Sequence, residues 1–306
     1  MIKPILSIII LSYNTKGVLE DCLTSIVRHD KRLNFSGKSL RADQEEIIPA
    51  EIIVVDNGST DGSREMINDQ WPMVKLIVNK NNLGFGKANN QGMRKARGEY
   101  FLLLNSDTLL EEGAISQVVF WLSSRSEFDL VGCKLLNLDK TSQPSTGRFP
   151  NLINSFSMLF LDHLLKKQLI MDSPKEIKKV DWIMGACMFL RKDVFRQTKG
   201  FDEKIFMYME EVEWCYRIKQ AGFEVGFYPN AKIIHLGGAS STSGRTAPII
   251  NIFKGLIYFY KKHYSKTSLF ILKLMLKLKA GSSWLLGIIS GNEYLKKTYH
   301  QAWEIT

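Results

Sequence analysis

Two unbroken apolar runs, each ending abruptly in a carboxylate set among small polar residues, limit what this chain can fold into. The first is Glu51-Ile52-Ile53-Val54-Val55-Asp56-Asn57-Gly58-Ser59, and the second is Tyr100-Phe101-Leu102-Leu103-Leu104-Asn105-Ser106-Asp107-Thr108. Apolar runs without alternation read as strands buried on both faces, as in a parallel sheet. Open α/β sheets bind ligands outside the carboxyl ends of their strands. The two acidic ends are therefore expected to converge on one crevice, suited to a phosphorylated ligand and a divalent metal.

The surrounding pattern agrees. A strand over Ile5–Leu11 precedes a helix from Lys16 to about His29, whose Val18, Leu19, Cys22 and Ile26 recur near the helical period. Residues 30–48 read as a loop. A short helix over Arg64–Asp69, a strand over Val74–Val78 and a helix over Ala88–Ala96 complete a strand–helix alternation that predicts a doubly wound parallel sheet over the first hundred residues. Further on, Ala114–Leu122 reads as a helix, Leu130–Leu136 as a strand, 137–180 as a variable stretch, and Phe206 to about Ala221 as a helix. A strand over Phe223–Tyr228 and another ending at His235 close this part.

The 306 residues suffice for one large α/β domain with an appendage. A hydrophobic fraction of 45% excludes general disorder. Lys and Arg exceed Asp and Glu by 41 to 31, an excess that serves solubility or attracts phosphates or an anionic membrane. Cys22, Cys133, Cys187 and Cys215 form no CxxC pair, which disfavours a zinc knuckle; buried, reduced thiols fit a cytoplasmic protein. The N-terminal apolar run reads as a first strand rather than a signal peptide, and no uncharged apolar stretch is long enough for a confident transmembrane helix.

Taken singly, the polar residues have bland readings. A strand-end Asp such as Asp107 or Asp56 is commonly a turn residue or helix cap. His235, ending a strand, is a metal ligand or a structural histidine. Glu210, Glu211 and Glu213 suit the first turn of a helix through its dipole. Neighbours on a helix point about 100° apart, so Glu210 and Glu211 cannot both face one spot, and one of them is free to act as a general base. Asn82-Leu83-Gly84-Phe85-Gly86 is not a GxGxxG fingerprint, which argues against a dinucleotide cofactor.

In order, Ser12-Tyr13-Asn14, Val55-Asp56-Asn57-Gly58-Ser59, Asn82-Leu83-Gly84-Phe85 with Asn89, Asn105-Ser106-Asp107, Gly185-Ala186, Glu210-Glu211 and His235 make a set that resembles the family 2 inverting glycosyltransferases, especially a bacterial rhamnosyltransferase-like branch. The resemblance covers about residues 5–240. It implies a GT-A fold, a Rossmann-like α/β arrangement with a mostly parallel sheet flanked by helices, over 1–243, followed by a helical C-terminal region over 244–306. It implies that Ser12, Tyr13, Asp56 and Ser59 hold the nucleoside of a nucleotide-diphosphate sugar, that Asn82, Gly84, Phe85 and Asn89 shape the donor pocket, and that Asn14, Asn57, Asn105 and Ser106 also bind the donor. Asp107 and His235 would hold Mg2+ or Mn2+, although Asn105 stands where the motif usually has a carboxylate. Glu211 would be the base, with Glu210 as a substitute, and Trp182, Gly185 and Ala186 would line the acceptor side.

Past Gly244 the chain turns to leucines, aromatics and lysines. Placed on one helix, Lys262, Lys266, Lys273, Lys277 and Lys279 fall within about 80° at ~3.6 residues per turn. The resemblance implies a glycan or lipid-linked acceptor, and this segment is expected to lie on an anionic inner membrane face, to pack on the catalytic domain, or to join two subunits in a homodimer. No nucleic-acid partner is expected. A nucleotidyltransferase is disfavoured, since the first strand ends in Ser-Tyr-Asn with only Lys16 nearby. A catalytically weak or silent nucleotide-sugar-binding subunit remains the alternative from another class.

Overall fold

The computed structural model describes residues 3–36, 47–125, 127–165, 169–238 and 246–306. Strands β1 (Leu6–Ser12), β2 (Ile48–Asp56), β3 (Val74–Val78) and β4 (Tyr100–Asn105) lie side by side in the order β3-β2-β1-β4, all parallel. Their registers bring Ser12 beside Asp56 and Leu11 beside Asn105, so the polar residues that end the apolar runs lie along one sheet edge. The apolar runs of β1, β2 and β4 are buried because helices cover both faces, the arrangement that parallel strands need, while the outer strand β3 is only partly covered. Helices α1 (Lys16–His29), α2 (Ser63–Gln70) and α3 (Phe85–Lys95) provide the crossovers. Helix α3 lies close to the sheet: a Cβ on Gly92 would stand 2.4 Å from Ile9 Cγ2 and 3.3 Å from Val55 Cγ2.

The second half of the sheet is mixed. Helix α4 (Ala114–Ser124) follows the short strand β5 (Thr108–Leu110) and leads to β6 (Leu130–Leu136), and β7 (Cys187–Arg191) inserts antiparallel between β4 and β6. The doubly wound parallel pattern therefore holds for the first four strands and stops at β7. The two strands expected over Phe223–Tyr228 and up to His235 are one strand, β8 (Val225–His235), parallel to β6, with a register shift between Tyr228 and Lys232. Strand β8 also pairs antiparallel with β5, setting His235 opposite Thr108, next to Asp107. Part of the loop expected over 30–48 is ordered, with Leu33–Asn34 pairing with Ile48–Pro49; its residues 37–46 lie outside the described ones, as does the expected division at 243/244.

Helix α5 (Lys192–Thr198) leads into a loop before helix α6 (Glu210–Gln220). This helix starts later than its sequence suggests, because Tyr208 (φ 67°) and Met209 (φ 74°) are both left-handed. Three C-terminal helices follow: α7 (Thr246–His263), α8 (Lys266–Ser290) and α9 (Glu293–Glu304). Helix α7 is part of the body, with Phe253, Leu256, Phe259 and Tyr260 buried in the same core as Trp214 and Ile218 of α6. The expected lysine stripe is broken. Ser265 caps a new helix by accepting from Ser268 N, Lys262 belongs to α7 and bonds Asp202 and Glu213, and Lys277 lies over the Trp303 ring. No described helix is long and apolar enough to cross a membrane.

Adding a methyl group at the tightest point of this packing tests its rigidity. Gly92→Ala is expected to cost about 1–3 kcal/mol through overpacking against Ile9, seen as a lower urea midpoint with an unchanged slope.

Candidate functional site

The loops after β1 and β2 are stitched into one wall. Asn14 takes a left-handed backbone (φ 52°), which Asn tolerates better than most residues. Its N–H donates to Ser59 Oγ (2.9 Å), and its Oδ1 accepts from Thr60 N (2.8 Å). Ser12 Oγ lies 3.0 Å from Thr15 Oγ1, which donates to Ser106 Oγ at 3.0 Å. Tyr13 is half-buried beside them. Asp56 is fully buried; its Oδ2 accepts from Arg64 Nε (2.7 Å), Ser59 N (3.1 Å) and Gly58 N (3.3 Å). Its Oδ1 is buried with no protein partner. Such an oxygen is costly, and an N–H or hydroxyl of a bound ligand would satisfy it.

The next wall is the loop before α3. Asn57 Nδ2 donates to Asn82 Oδ1 (2.8 Å), Asn57 Oδ1 accepts from Leu83 N (3.0 Å), and Asn82 Oδ1 accepts from Gly84 N (2.9 Å). Gly84 (φ 86°) is required: a Cβ there would stand 2.4 Å from Phe206 O, the carbonyl that accepts from Phe85 N at 2.8 Å. Asn89 differs from the others. It is buried, and its amide nitrogen donates within its own helix, to Phe85 O at 3.1 Å.

At the end of β4, the backbone N–H of Asn105 donates to Ala186 O (3.0 Å). Asn105 Nδ2 lies 3.3 Å from His235 Nε2, and Asp107 Oδ1 lies 3.4 Å from the same nitrogen. On the far side of the ring, His235 Nδ1 is 2.8 Å from Gln143 Oε1. Gln143 Nε2 donates to Asn137 Oδ1 (3.1 Å), which turns its carbonyl oxygen toward the histidine. This network assigns the proton to Nδ1 and leaves a lone pair on Nε2. A carboxylate beside an imidazole whose second nitrogen is hydrogen-bonded is a donor set that suits a divalent cation. Among the described residues no group of three or more His, Cys, Asp or Glu side chains is arranged to hold a metal ion, so at this site the described chain offers two such ligands, and substrate oxygens and water would complete the shell.

Across from these lies the carboxylate pair. Glu210 is buried at 4% exposure and Glu211 is half-buried, and each has an Oε2 atom without a partner. Burial pushes Glu211 up to about 7, against the pull of its backbone hydrogen bonds. Burial, with the neighbouring Glu211 charge, drives Glu210 well above the usual carboxylate range. Burial thus raises both carboxyls, and Glu211 is the more accessible of the two. Gly185 joins the two ends of the crevice. A Cβ there would lie 3.1 Å from Phe85 Cζ and 3.9 Å from Glu211 Cβ, while the adjacent Ala186 bonds Asn105. Trp182 belongs to the wall behind: it is 8% exposed, donates from Nε1 to Arg148 O (3.0 Å) and covers Gly147.

Thr15, Arg64 and Gln143 were not singled out from sequence. Thr15 and Gln143 act through partners distant along the chain (Ser106 and His235), and Arg64 reaches Asp56 across the loop between β2 and α2, a spacing of eight that follows no helix or strand period.

Residues 7–198 match the family model described as glycosyl transferase family 2. Among curated relatives, an N-acetylglucosaminyl-diphospho-decaprenol L-rhamnosyltransferase from Mycobacterium tuberculosis is 28% identical over 61% of this chain and 66% of its own length. Rhamnosyltransferase WbbL from Escherichia coli is 27% identical over 50% of this chain and 60% of its own. Among solved structures, a mannosyltransferase from Pyrobaculum calidifontis in complex with GDP-Man and Mn2+ superposes with a TM-score of 0.55 at 17% identity, covering 100% of this chain and 86% of that one. This likeness shows the fold, which is GT-A. With its matched segment covering more than half of the residues, the chain belongs to glycosyl transferase family 2.

Proposed function

We propose that this chain is an inverting glycosyltransferase that moves a sugar from a nucleotide-diphosphate sugar to a glycan or polyprenyl-linked acceptor. The observation that carries this reading is the pairing, through Gly185-Ala186, of a titratable buried carboxylate at Glu211 with the Asp107–His235 donor pair. Rhamnose is the proposed sugar and a lipid-diphosphate-linked saccharide the proposed acceptor, on the strength of the two relatives' names.

In this reading Asp56 Oδ1 and the Asn14–Ser59 wall hold the nucleoside, and the Asn82–Phe85 loop closes over the donor. Asp107 and His235 would hold Mg2+ or Mn2+, which when bound supplies compensation for charge growing on the departing diphosphate. Glu211 removes the acceptor hydroxyl proton as that oxygen bonds to the anomeric carbon and the bond to the diphosphate breaks. Attack opposite the leaving group inverts the anomeric configuration. Glu211 suits the task better than Glu210 because it is the more accessible of the two and lies beside Gly185.

The C-terminal helices support a membrane-facing role in the same reading. Residues 246–306 hold nine lysines against two glutamates. Helix α8 exposes Phe270, Leu274, Leu278, Leu285 and Ile289 beside Lys266 and Lys273, a composition suited to an anionic interface.

A thermal-shift screen of UDP-, GDP- and dTDP-linked sugars with Mn2+ tests the donor reading, since a bound donor raises Tm by mass action. The proton resonances of the transferred sugar then report its anomeric configuration. Glu211→Gln is expected to lower kcat by about 10²–10⁴ with donor binding retained; tight binding without turnover in the wild type would identify a silent binding subunit instead. The wild-type rate should rise with pH through about 7, where Glu211 loses its proton. Because that folded-state value lies above the ordinary glutamate value of 4.5, the stability contributed by the Glu211 proton is fully present below about 4.5 and is lost as pH rises toward 7. Glu211→Gln should flatten that slope in urea unfolding. Asp107→Ala should weaken Mn2+-dependent donor binding by tenfold or more. Wild-type protein should float with anionic liposomes, and equal flotation after removing residues 266–306 would reject the membrane reading.

A further inference from the structure

The two left-handed residues ahead of Glu210 are not glycines, and something must hold them. L-residues are disfavoured in this conformation because Cβ crowds the following carbonyl, and such strain persists only where surrounding structure over-determines it. Helix α7, which lies beyond the matched family segment, presses on this turn. A Cβ on Gly255 would stand 2.7 Å from Met209 Cβ, 2.8 Å from Met209 Cγ and 3.2 Å from Tyr208 O, so no other residue at 255 allows the same approach.

The same helix is bolted to α6 and to the loop before it. Glu213, with no exposed surface, accepts from Arg217 Nε (2.9 Å), Lys262 Nζ (2.7 Å) and His263 Nε2 (3.0 Å). Asp202 accepts from Lys262 Nζ (2.5 Å) and Tyr258 Oη (2.7 Å). Arg217 also donates to the carbonyls of Thr198 and Gly200, both at 2.5 Å. One lysine of α7 thus ties the segment entering the turn to the helix leaving it. Burial raises the Glu213 carboxyl, but the His263 hydrogen bond and the Arg217 and Lys262 charges outweigh it and hold the group below its ordinary range.

We propose that helix α7 is a positioning element for the reaction: Gly255 and the Lys262 bridge between Asp202 and Glu213 hold the Tyr208–Met209 turn, and so hold Glu211 toward the crevice beside Gly185. The link to catalysis rests on the glycosyltransferase reading above; the mechanical part does not. None of these α7 residues touches substrate. Their removal acts on the step that needs the base and leaves the nucleoside wall on β1 and β2 as it was, while Phe206, whose carbonyl holds Phe85 N, lies ahead of the turn.

The test is Gly255→Ala in the full chain, read two ways. Amide hydrogen exchange over residues 206–214 should quicken tenfold or more while β1 and β4 stay unchanged. With the best substrate of the sugar-nucleotide panel, kcat should fall tenfold or more with KM for the donor within twofold. Adding Met209→Gly removes the clashing side chain and the left-handed penalty at position 209, and should restore both readouts. Lys262→Met should reproduce the defect and Lys262→Arg, which keeps the cation, should not; this pair decides the matter if Gly255→Ala does not fold. Unchanged exchange in both Gly255→Ala and Lys262→Met overturns the proposal, as does faster exchange with unchanged kcat, or a loss confined to KM. If the wild type turns over no sugar nucleotide, the functional reading fails and exchange alone decides whether α7 holds the turn.

Discussion

The hydrogen bond from Asn105 N to Ala186 O joins two differently built halves of the molecule. On one side of β4 the strands are parallel and their carboxyl ends carry the Ser12, Asp56 and Asn105 loops. On the other side β7 runs antiparallel, so its amino end meets the carboxyl end of β4. That reversal puts Gly185 and Ala186, which precede β7, at the crevice. A fully parallel sheet would have placed the start of the next strand at the opposite edge, and the Glu211 side would have had no scaffold beside Asp107.

The acidic residues are treated in two ways, and the difference separates framework from chemistry. Glu51, at the other end of the sheet, accepts from Ser7 Oγ, Lys75 Nζ and Arg97 N, and Glu213 is enclosed by Arg217, Lys262 and His263. Both are held below the usual range, despite burial, by these partners. Glu210 and Glu211 are buried with an oxygen atom each left unsatisfied, and burial pushes both upward. Leaving a buried acceptor unpaired is unfavourable in the free protein, and a site that must take up a proton has a use for it.

How much of this was legible in the sequence follows from the range of each interaction. The buried parallel strands declare themselves as unalternated β-branched and leucine runs, and their acidic ends point to the crevice without knowledge of any partner. The reversal at β7 leaves no such mark, because Cys187–Arg191 is apolar whichever way it runs. The helix break before Lys266 was readable: Ser265 is a capping residue, and Ser-Lys-Thr-Ser following a Lys-Lys-His-Tyr turn is a helix-start signal. A continuous wheel across it misplaced Lys262, which works inside the protein. Gly255 and Gln143 were invisible, since their importance lies in what sits opposite them some 46 and 92 positions away in sequence.

Strand β8 carries one more implication. Between Tyr228, opposite Cys133, and Lys232, opposite the next residue Lys134, it holds the surplus residues Pro229, Asn230 and Ala231. A strand advances about 3.3 Å per residue and turns its side chains to alternate faces. The length of this irregularity therefore sets both the depth and the face at which His235 arrives beside Asp107. The irregularity works as a spacer, separating the lengths that keep the sheet paired from the length that delivers the imidazole. Divergence in the sheet can proceed while the spacer is kept, whereas a one-residue change within it would turn the ring away from the crevice with the fold still standing.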